Sequence, residues 1–137
     1  MDYKELIIEA LGAREKAYAP YSEFKVGAAV LMENGKIFSG CNIENASYGA
    51  TNCAERTAIF KAVSEGLKEI IAIAIVGDLK NYTYPCGICR QVIAEFANEN
   101  TSIILARNEN DYIVKNLEEV LPGAFTSKDL DNAASKK

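Results

Sequence analysis

The residues best suited to carry out chemistry in this sequence are three cysteines and a glutamate, which lie in two short blocks. The first block is Cys53-Ala-Glu55, and the second is Pro85-Cys86-Gly-Ile-Cys89. Three thiolates fill three corners of a zinc tetrahedron and leave the fourth for water, which distinguishes a catalytic zinc from a closed structural one. We therefore predict one Zn²⁺ per subunit, bound by the three cysteines, with an open position.

Glu55 is the residue that we predict to move protons at this site. The chain contains no histidine, so acid–base chemistry must fall to carboxylates, thiols, lysines or tyrosines. Glu55 lies two residues after Cys53, about 200° around an ideal helix at about 100° per residue. That angle disfavours joint chelation of the metal by both residues. It is compatible with Glu55 standing beside the metal as a proton shuttle if the first helical turn is irregular.

Other interpretations of these motifs exist when each is taken alone. The Cys-x-x-Cys block is also found in redox dithiols, and Cys41 would be available to close a structural zinc site. A glutamate in the first turn of a helix commonly complements the helix dipole. The combination of the two blocks favours the catalytic zinc, and for Cys41 the interpretation as a small buried hydrophobic residue is better.

Two arginines follow the motif residues directly. Three thiolates on Zn²⁺ leave a formal charge of −1, which weakens the ability of the metal to acidify its water. We predict that Arg56 or Arg90 hydrogen-bonds the sulfurs and offsets this charge. Arg56 is the better candidate, because it leaves the same helical turn as Cys53.

The elements that must position these residues follow from apolar periodicity and from turn signals. Helices are predicted over 3–18, 53–65, 85–98 and 116–120, and strands over 24–32, 36–43, 69–76, 102–106 and 112–115. Helices that alternate with strands imply a mixed sheet covered on both faces. We predict an α/β fold with a five-stranded mixed sheet in one domain over residues 1–137, ending in a flexible polar tail over 127–137.

Composition narrows the classes of function. The chain has 137 residues with 19 acidic and 15 basic side chains, a net charge of −4. This balance, with scattered basic residues, argues against a nucleic-acid partner. The longest apolar run, Ile70–Val76, is too short to span a membrane, and the charged N-terminus does not look like a signal peptide. We expect a cytoplasmic protein without a membrane partner.

The two blocks together resemble the signature of the zinc nucleoside deaminases, which includes a three-cysteine variant and a glutamate that is not a ligand. Further segments, 19–28, 40–48, 53–58 and 121–125, closely resemble the small bacterial cytidine deaminases. The resemblance covers nearly the whole chain, about residues 5 to 130. It implies the three-layer α/β/α fold of that family.

The resemblance also implies the reaction. Cytidine or 2′-deoxycytidine would react with water to give uridine or 2′-deoxyuridine and ammonia, as a step of pyrimidine salvage. Zinc-bound hydroxide would attack C4 of the base, and Glu55 would protonate N3 and then assist the departure of the amine.

Residues that contact the substrate are implied by the same resemblance. Asn42 and Glu44 correspond to the family's Asn-x-Glu pair, which holds the ribose hydroxyls. The residue types agree, because an amide and a carboxylate at i and i+2 of a strand share one face and can bond hydroxyls. The alternative is an exposed strand end. Phe24 corresponds to the aromatic residue that lines the nucleoside site.

Two further substrate contacts come from the resemblance. The backbone N–H of Ala54, together with a carbonyl of the 51–52 loop, is expected to bind the pyrimidine edge. Phe125 corresponds to a residue that reaches the base bound by a neighbouring subunit. The family's small members are homotetramers with active sites at subunit interfaces, which is therefore the expected assembly.

Three alternatives remain beside this interpretation. A deaminase of an aminonucleoside antibiotic would not need the pair Asn42 and Glu44. Polynucleotide and tRNA deaminases usually carry His-x-Glu in the first block, and this chain has no histidine. A zinc-stabilised binding module without activity would not depend on Glu55.

Overall fold

The computed structural model describes residues 2–135 and contains five strands and five α-helices. In chain order they are α1 (Lys4–Arg14), β1 (Gly27–Met32), β2 (Ile37–Cys41), α2 (Ala54–Ser64), β3 (Ile70–Val76), α3 (Gly87–Phe96), β4 (Ser102–Asn108), β5 (Asp111–Lys115), α4 (Leu117–Val120) and α5 (Ser127–Ser135). Within these residues, no helix is both long enough and apolar enough to cross a membrane.

The five strands form one mixed sheet in the order β2-β1-β3-β4-β5. Strands β3 and β4 are parallel, and the other neighbouring pairs are antiparallel. In the register of the sheet, Ala74 of β3 faces Ala29 of β1 on one side and Ile104 of β4 on the other. The tight turn between β1 and β2 contains Gly35 with φ of +85°, a left-handed conformation that glycine adopts without steric cost. The predicted mixed five-stranded sheet is confirmed.

Helices cover both faces of this sheet, because alternate residues of its central strands are buried on opposite sides. On one face, α1 packs through Leu6, Ile7 and Ala10. On the other face, α2 and α3 pack through residues that include Ile59 and Ile93. The three-layer α/β/α architecture is therefore as predicted.

Helix α1 lies directly on the start of β1. A Cβ atom on Gly27 would stand 2.0 Å from the carbonyl oxygen of Ala10 and 2.6 Å from the backbone nitrogen of Arg14. Only a residue without a side chain allows this approach. The close packing fixes the strand end that leads to the cavity described below.

The helix boundaries differ from the prediction mainly at the end of α1 and at both ends of α3, and by a single residue elsewhere. Helix α1 ends at Arg14 instead of residue 18, because Tyr18 pairs with the chain that follows β2: its N–H donates to the Asn42 carbonyl and its own carbonyl accepts from Glu44 N–H. Helix α3 begins at Gly87, with Cys86 as its N-cap. The predicted position of Pro85 inside the first turn is therefore wrong, and Pro85 precedes the cap.

The C-terminal segment carries a helix where the sequence predicted no element. Helix α5 occupies Ser127–Ser135, and at its start the backbone N–H of Thr126 donates to Asp129 Oδ2 at 2.8 Å. A carboxylate bonded at a helix start satisfies a free N–H group. The flexibility expected for 127–137 stays a prediction, and residues 136 and 137 lie outside the described part.

Candidate metal centre and adjoining cavity

The sulfur atoms of Cys53, Cys86 and Cys89 form one compact cluster. All three Sγ atoms lie within 4.8 Å of one another, and those of Cys53 and Cys86 are 3.7 Å apart. Sulfurs bound tetrahedrally at about 2.3 Å from Zn²⁺ lie about 3.8 Å apart, so this donor set fits zinc. Cys41 is not part of the cluster and is half-buried, so a closed four-cysteine site is not favoured.

Two of these cysteines are helix N-caps. Cys53 caps α2 with an extended backbone, φ −77° and ψ 157°, and Cys86 caps α3 with φ −66° and ψ 167°. The backbone N–H of Cys89 points toward Cys86 Sγ at 3.5 Å. Free N–H groups and the helix dipoles stabilise negative charge at such positions. The two helix starts therefore converge on the sulfur cluster.

Glu55 stands beside this cluster in the first turn of α2. Because Cys53 has extended backbone angles, the separation of about 200° expected within an ideal helix does not apply. Glu55 is 4% exposed, and it lines the same cavity as Cys53. Burial is the main cause that raises the pKa of Glu55 to about 7, and the negative charge of Cys53 adds to the effect. A carboxyl group with this pKa gains and loses a proton readily near neutral pH.

Contacts within the cluster shift the pKa values of two of its thiols in opposite directions. A hydrogen bond from Cys89, followed by the contact with Arg56, lowers the pKa of Cys53 to about 5. The same contact between the two cysteines raises the pKa of Cys89, and burial adds to it. Like charges at this separation cannot all ionise without a cation between them. The arrangement is therefore that of a cation site.

The two arginines occupy different environments. The Nη2 group of Arg56 donates to Cys53 Sγ at 3.3 Å, and this bond raises the pKa of Arg56. Arg90 instead donates to the carbonyl oxygens of Pro85 at 2.8 Å and Val120 at 2.7 Å. Arg56 thus contacts a sulfur, while Arg90 joins α3 to the end of α4. The effect of Arg56 on the zinc stays a prediction.

A cavity of about 330 Å³ adjoins the sulfur cluster, a volume within the usual range of small-molecule sites. Besides Cys53 and Cys86, five residues that the sequence analysis selected line it: Phe24, Asn42, Glu44, Ala54 and Glu55. The volume is sufficient for a nucleoside-sized ligand, and the buried Glu55 lies on the cavity wall. The structure thus brings the predicted polar and aromatic residues to one place.

Asn42 lies on the extended chain that continues β2. Its Oδ1 accepts from the backbone N–H of Val26 at 2.9 Å, and its Nδ2 donates to the carbonyl of Phe24 at 2.8 Å. The residue is buried. These two bonds fix the amide, and they leave one hydrogen on Nδ2 and one lone pair on Oδ1 for a ligand.

Glu44 follows Asn42 at i+2 and is held by the loop before β1. Its Oε1 accepts from the backbone N–H groups of Tyr21 at 2.9 Å and Ser22 at 3.1 Å. Its Oε2 accepts from the Ser22 hydroxyl. These hydrogen bonds, that of the Ser22 hydroxyl first, lower the pKa of Glu44. The carboxylate is therefore ionised and oriented before any ligand arrives.

Phe24 and Phe125 are placed differently. Phe24 lines the cavity, whereas Phe125 does not line it and is 59% exposed. The Phe125 carbonyl accepts from Gln91 Nε2 at 2.7 Å. The structure therefore does not bring Phe125 to the cavity of its own chain, and its expected contact with a neighbouring subunit stays a prediction.

The structure adds cavity residues that the sequence analysis did not select. They are Ser22, Val26, Thr83 and Tyr84. Tyr84 stands immediately before the Pro-Cys block, and Ser22 lies inside the segment 19–28, so proximity to the motifs was the available signal. The hydrogen bond between Ser22 and Glu44 joins residues that are 22 positions apart in the chain, and local sequence patterns do not reveal such a contact.

Comparison with protein-family models gives a match to the cytidine and deoxycytidylate deaminase zinc-binding region over residues 1–105. The chain is 54% identical over 132 residues to a cytidine deaminase of Halalkalibacterium halodurans, and the alignment covers 96% of this chain and 100% of that protein. It is 52% identical over 136 residues to a cytidine deaminase of Sporosarcina psychrophila, covering 99% of this chain and 100% of that protein.

Solved structures give the same result. The fold matches the crystal structure of cytidine deaminase from Burkholderia pseudomallei with a TM-score of 0.84 and 49% identity, covering 91% of this chain and 100% of that one. It matches the cytidine deaminase of Mycobacterium tuberculosis with a TM-score of 0.80 and 38% identity, covering 91% of this chain and 98% of that one.

Proposed function

This chain belongs to the family of zinc-binding cytidine and deoxycytidylate deaminases, and we propose that it hydrolyses cytidine and 2′-deoxycytidine to uridine and 2′-deoxyuridine. Water adds to C4 of the base and the exocyclic amine leaves as ammonia. The observation that carries the proposal is that the buried Glu55 lines one cavity together with Cys53 and Cys86, two members of the three-sulfur cluster. The residues expected to bind a nucleoside line the same cavity.

The cysteines would hold Zn²⁺, which when bound supplies a Lewis acid that lowers the pKa of water to about 7. Glu55 accepts a proton from the attacking water and transfers it to N3 of the base. Glu55 then takes the remaining proton from the new hydroxyl on C4 and delivers it to the amine, so that the C4–N bond breaks, ammonia leaves and C4 becomes a carbonyl. A carboxyl whose pKa lies at about 7 serves both directions of proton transfer, because neither protonation state is strongly disfavoured near neutral pH.

The remaining wall of the cavity would select the nucleoside. Asn42 donates a hydrogen bond to a sugar hydroxyl or accepts one from it, the ionised Glu44 accepts from a sugar hydroxyl, and the ring of Phe24 contacts the nucleoside. The N–H of Ala54, in the first turn of α2, and a carbonyl of the 51–52 loop bind the pyrimidine edge. The support for these roles is that all three side chains and Ala54 line one cavity with Glu55.

The proposal extends to assembly and physiology. We place the protein in the cytoplasm as an enzyme of pyrimidine salvage that acts on free nucleosides and not on nucleic acid. We further propose a homotetramer in which Phe125 of one subunit reaches the cavity of another. The exposed ring of Phe125 outside its own cavity supports this arrangement, because a large exposed aromatic ring is typical of an interface.

The proposed function is tested by adding cytidine to the zinc-containing protein and following the ultraviolet change of deamination, with zinc measured on the same sample. Glu55→Gln should retain zinc and fold but lose about 10²- to 10⁴-fold in kcat, the usual contribution of general acid–base catalysis. Wild-type protein that contains zinc and leaves both cytidine and deoxycytidine unchanged would refute the assignment. A zinc-stabilised binding module would keep its binding after the same substitution.

A further inference from the structure

Ser22 connects two residues on the sugar side of the cavity. Its Oγ accepts from the backbone N–H of Phe24 at 3.1 Å, and its hydroxyl hydrogen points to Glu44 Oε2. Since an ionised carboxylate can only accept, Ser22 donates its single hydroxyl hydrogen to Glu44. Ser22 also lines the cavity itself.

The acceptor positions of Glu44 are almost all occupied. An ionised carboxylate has about four lone-pair positions. Two of them, on Oε1, take the backbone N–H groups of Tyr21 and Ser22, and one on Oε2 takes the Ser22 hydroxyl. One acceptor position on Oε2 is left. The Ser22 hydroxyl thus determines which direction of Oε2 is free for a ligand.

The loop that carries Ser22 is held in an uncommon conformation. Glu23 has φ of +60°, in the left-handed region that residues other than glycine seldom adopt. Its N–H donates to the Ala19 carbonyl at 3.0 Å, which closes the turn behind Ser22. Such a conformation persists only where the surrounding structure imposes it, and here it directs the backbone and hydroxyl donors of Ser22 at one carboxylate.

We propose that Ser22 is a positioning residue for sugar recognition: its hydroxyl holds Glu44 so that the remaining acceptor position of Oε2 receives a hydroxyl of the nucleoside sugar. The inference rests on the proposed nucleoside deaminase function and deepens it. Ser22 acts through Glu44, and it has no part in the proton transfers of Glu55. Its contribution therefore depends on whether the substrate carries sugar hydroxyls.

The role of Ser22 is tested by comparing substrates with and without the 2′- and 3′-hydroxyls of the sugar. For Ser22→Ala we expect kcat/KM with cytidine to fall about three- to tenfold, the effect of one partly exposed hydrogen bond to a charged group, chiefly through a higher KM. With 2′,3′-dideoxycytidine, which lacks the 2′- and 3′-hydroxyls to which the proposal refers and keeps only the 5′-hydroxyl, the same substitution should change kcat/KM less than about twofold. Ser22→Thr retains a hydroxyl and should restore most of the activity with cytidine.

A double-mutant cycle with cytidine supplies a second measurement. In a Glu44→Gln background, Ser22→Ala should have little further effect, because the two residues then no longer act as a unit. Ser47→Ala is a matched control, since Ser47 is an exposed serine that does not line the cavity. Zinc content and thermal stability are measured for every variant.

Several outcomes would overturn the inference. An equal loss with cytidine and dideoxycytidine would mean that Ser22 acts through Phe24 or through the loop in general. Unchanged kcat/KM with cytidine, or full additivity with Glu44→Gln, would mean that the bond has no role in recognition. These results differ from failure of the proposed function, in which zinc-containing wild-type protein leaves cytidine unchanged and both proposals are lost.

Discussion

Replacing Arg56 tests the electrostatic balance of the metal centre. Arg56→Gln removes a positive charge 3.3 Å from Cys53 Sγ and keeps an amide donor, while Arg56→Ala removes both the charge and the donor. With three thiolates and Zn²⁺ the formal charge is −1, and the guanidinium brings the sum to zero. Without it, we expect the bound metal to be less electrophilic or the thiolates to hold it less firmly.

The size of the effect follows from the type of contact. A hydrogen bond to a charged group contributes about 1.5–3 kcal/mol, and about 1.4 kcal/mol corresponds to a factor of ten. Replacing partners of metal ligands costs about 10- to 100-fold in activity or metal affinity. We therefore expect a fall of about 10- to 100-fold in turnover or in zinc affinity for Arg56→Ala, and a smaller fall for Arg56→Gln.

The assay measures zinc per subunit and kcat per bound zinc in the same preparation. Arg90→Gln is the matched comparison, because Arg90 donates to the carbonyls of Pro85 and Val120 and contacts no sulfur. It should lower thermal stability by removing those bonds, with kcat per bound zinc little changed. Arg56 variants that retain both turnover and zinc would refute the reasoning. So would an equal loss of turnover per zinc in Arg90→Gln.

Two further predictions concern metal removal and a contact remote from the metal. A chelator should abolish deamination and lower the melting temperature, and added Zn²⁺ should restore both. The reason is that a metal bound only by the folded chain stabilises that chain. Zinc-free protein that regains neither activity nor melting temperature after Zn²⁺ is added would contradict this prediction. Tyr82→Phe removes the hydroxyl that donates to Asp111 Oδ1 at 2.5 Å and should lower the free energy of unfolding. Tyr3→Phe loses a 2.8 Å hydrogen bond to the neutral Ser102 hydroxyl, so it should lower the free energy of unfolding less than Tyr82→Phe does in the same urea titration. A larger loss for Tyr3→Phe would be inconsistent with a charge-assisted bond between Tyr82 and Asp111.

The sequence was most informative about features that depend on residues close together in the chain. The spacing of Cys86 and Cys89 places both in one turn, whichever residue begins the helix, so the shift of the α3 start to Gly87 did not disturb the predicted ligand set. The β-branched run Ile70–Val76 is buried as the central strand β3, because apolar residues on both faces need cover on both sides. Local patterns were sufficient for these features.

Features that depend on contacts between distant residues could not be predicted in this way. Helical periodicity extended α1 to residue 18, yet the backbone of Tyr18 bonds with Asn42 and Glu44, and a tertiary pairing of this kind overrides local preference. The bond between Ser22 and Glu44 likewise exists only after the loop before β1 has folded against the end of β2. The sequence therefore predicted residues that line the cavity, but not the contact that orients Glu44.

The N-cap positions of the cysteines connect the fold to the proton chemistry. Because Cys53 and Cys86 precede α2 and α3, each sulfur lies at a helix end that carries about half a positive charge, and Arg56 adds a full one near Cys53. This positive environment is directed at the sulfurs, while Glu55, in the first turn of α2, is buried. The pKa of the Glu55 carboxyl is therefore raised to about 7, while the pKa of the neighbouring Cys53 thiol is lowered. The start of α2 thus brings together an ionised thiol and a carboxyl that exchanges its proton, and the extended backbone of Cys53 allows both to face the same cavity.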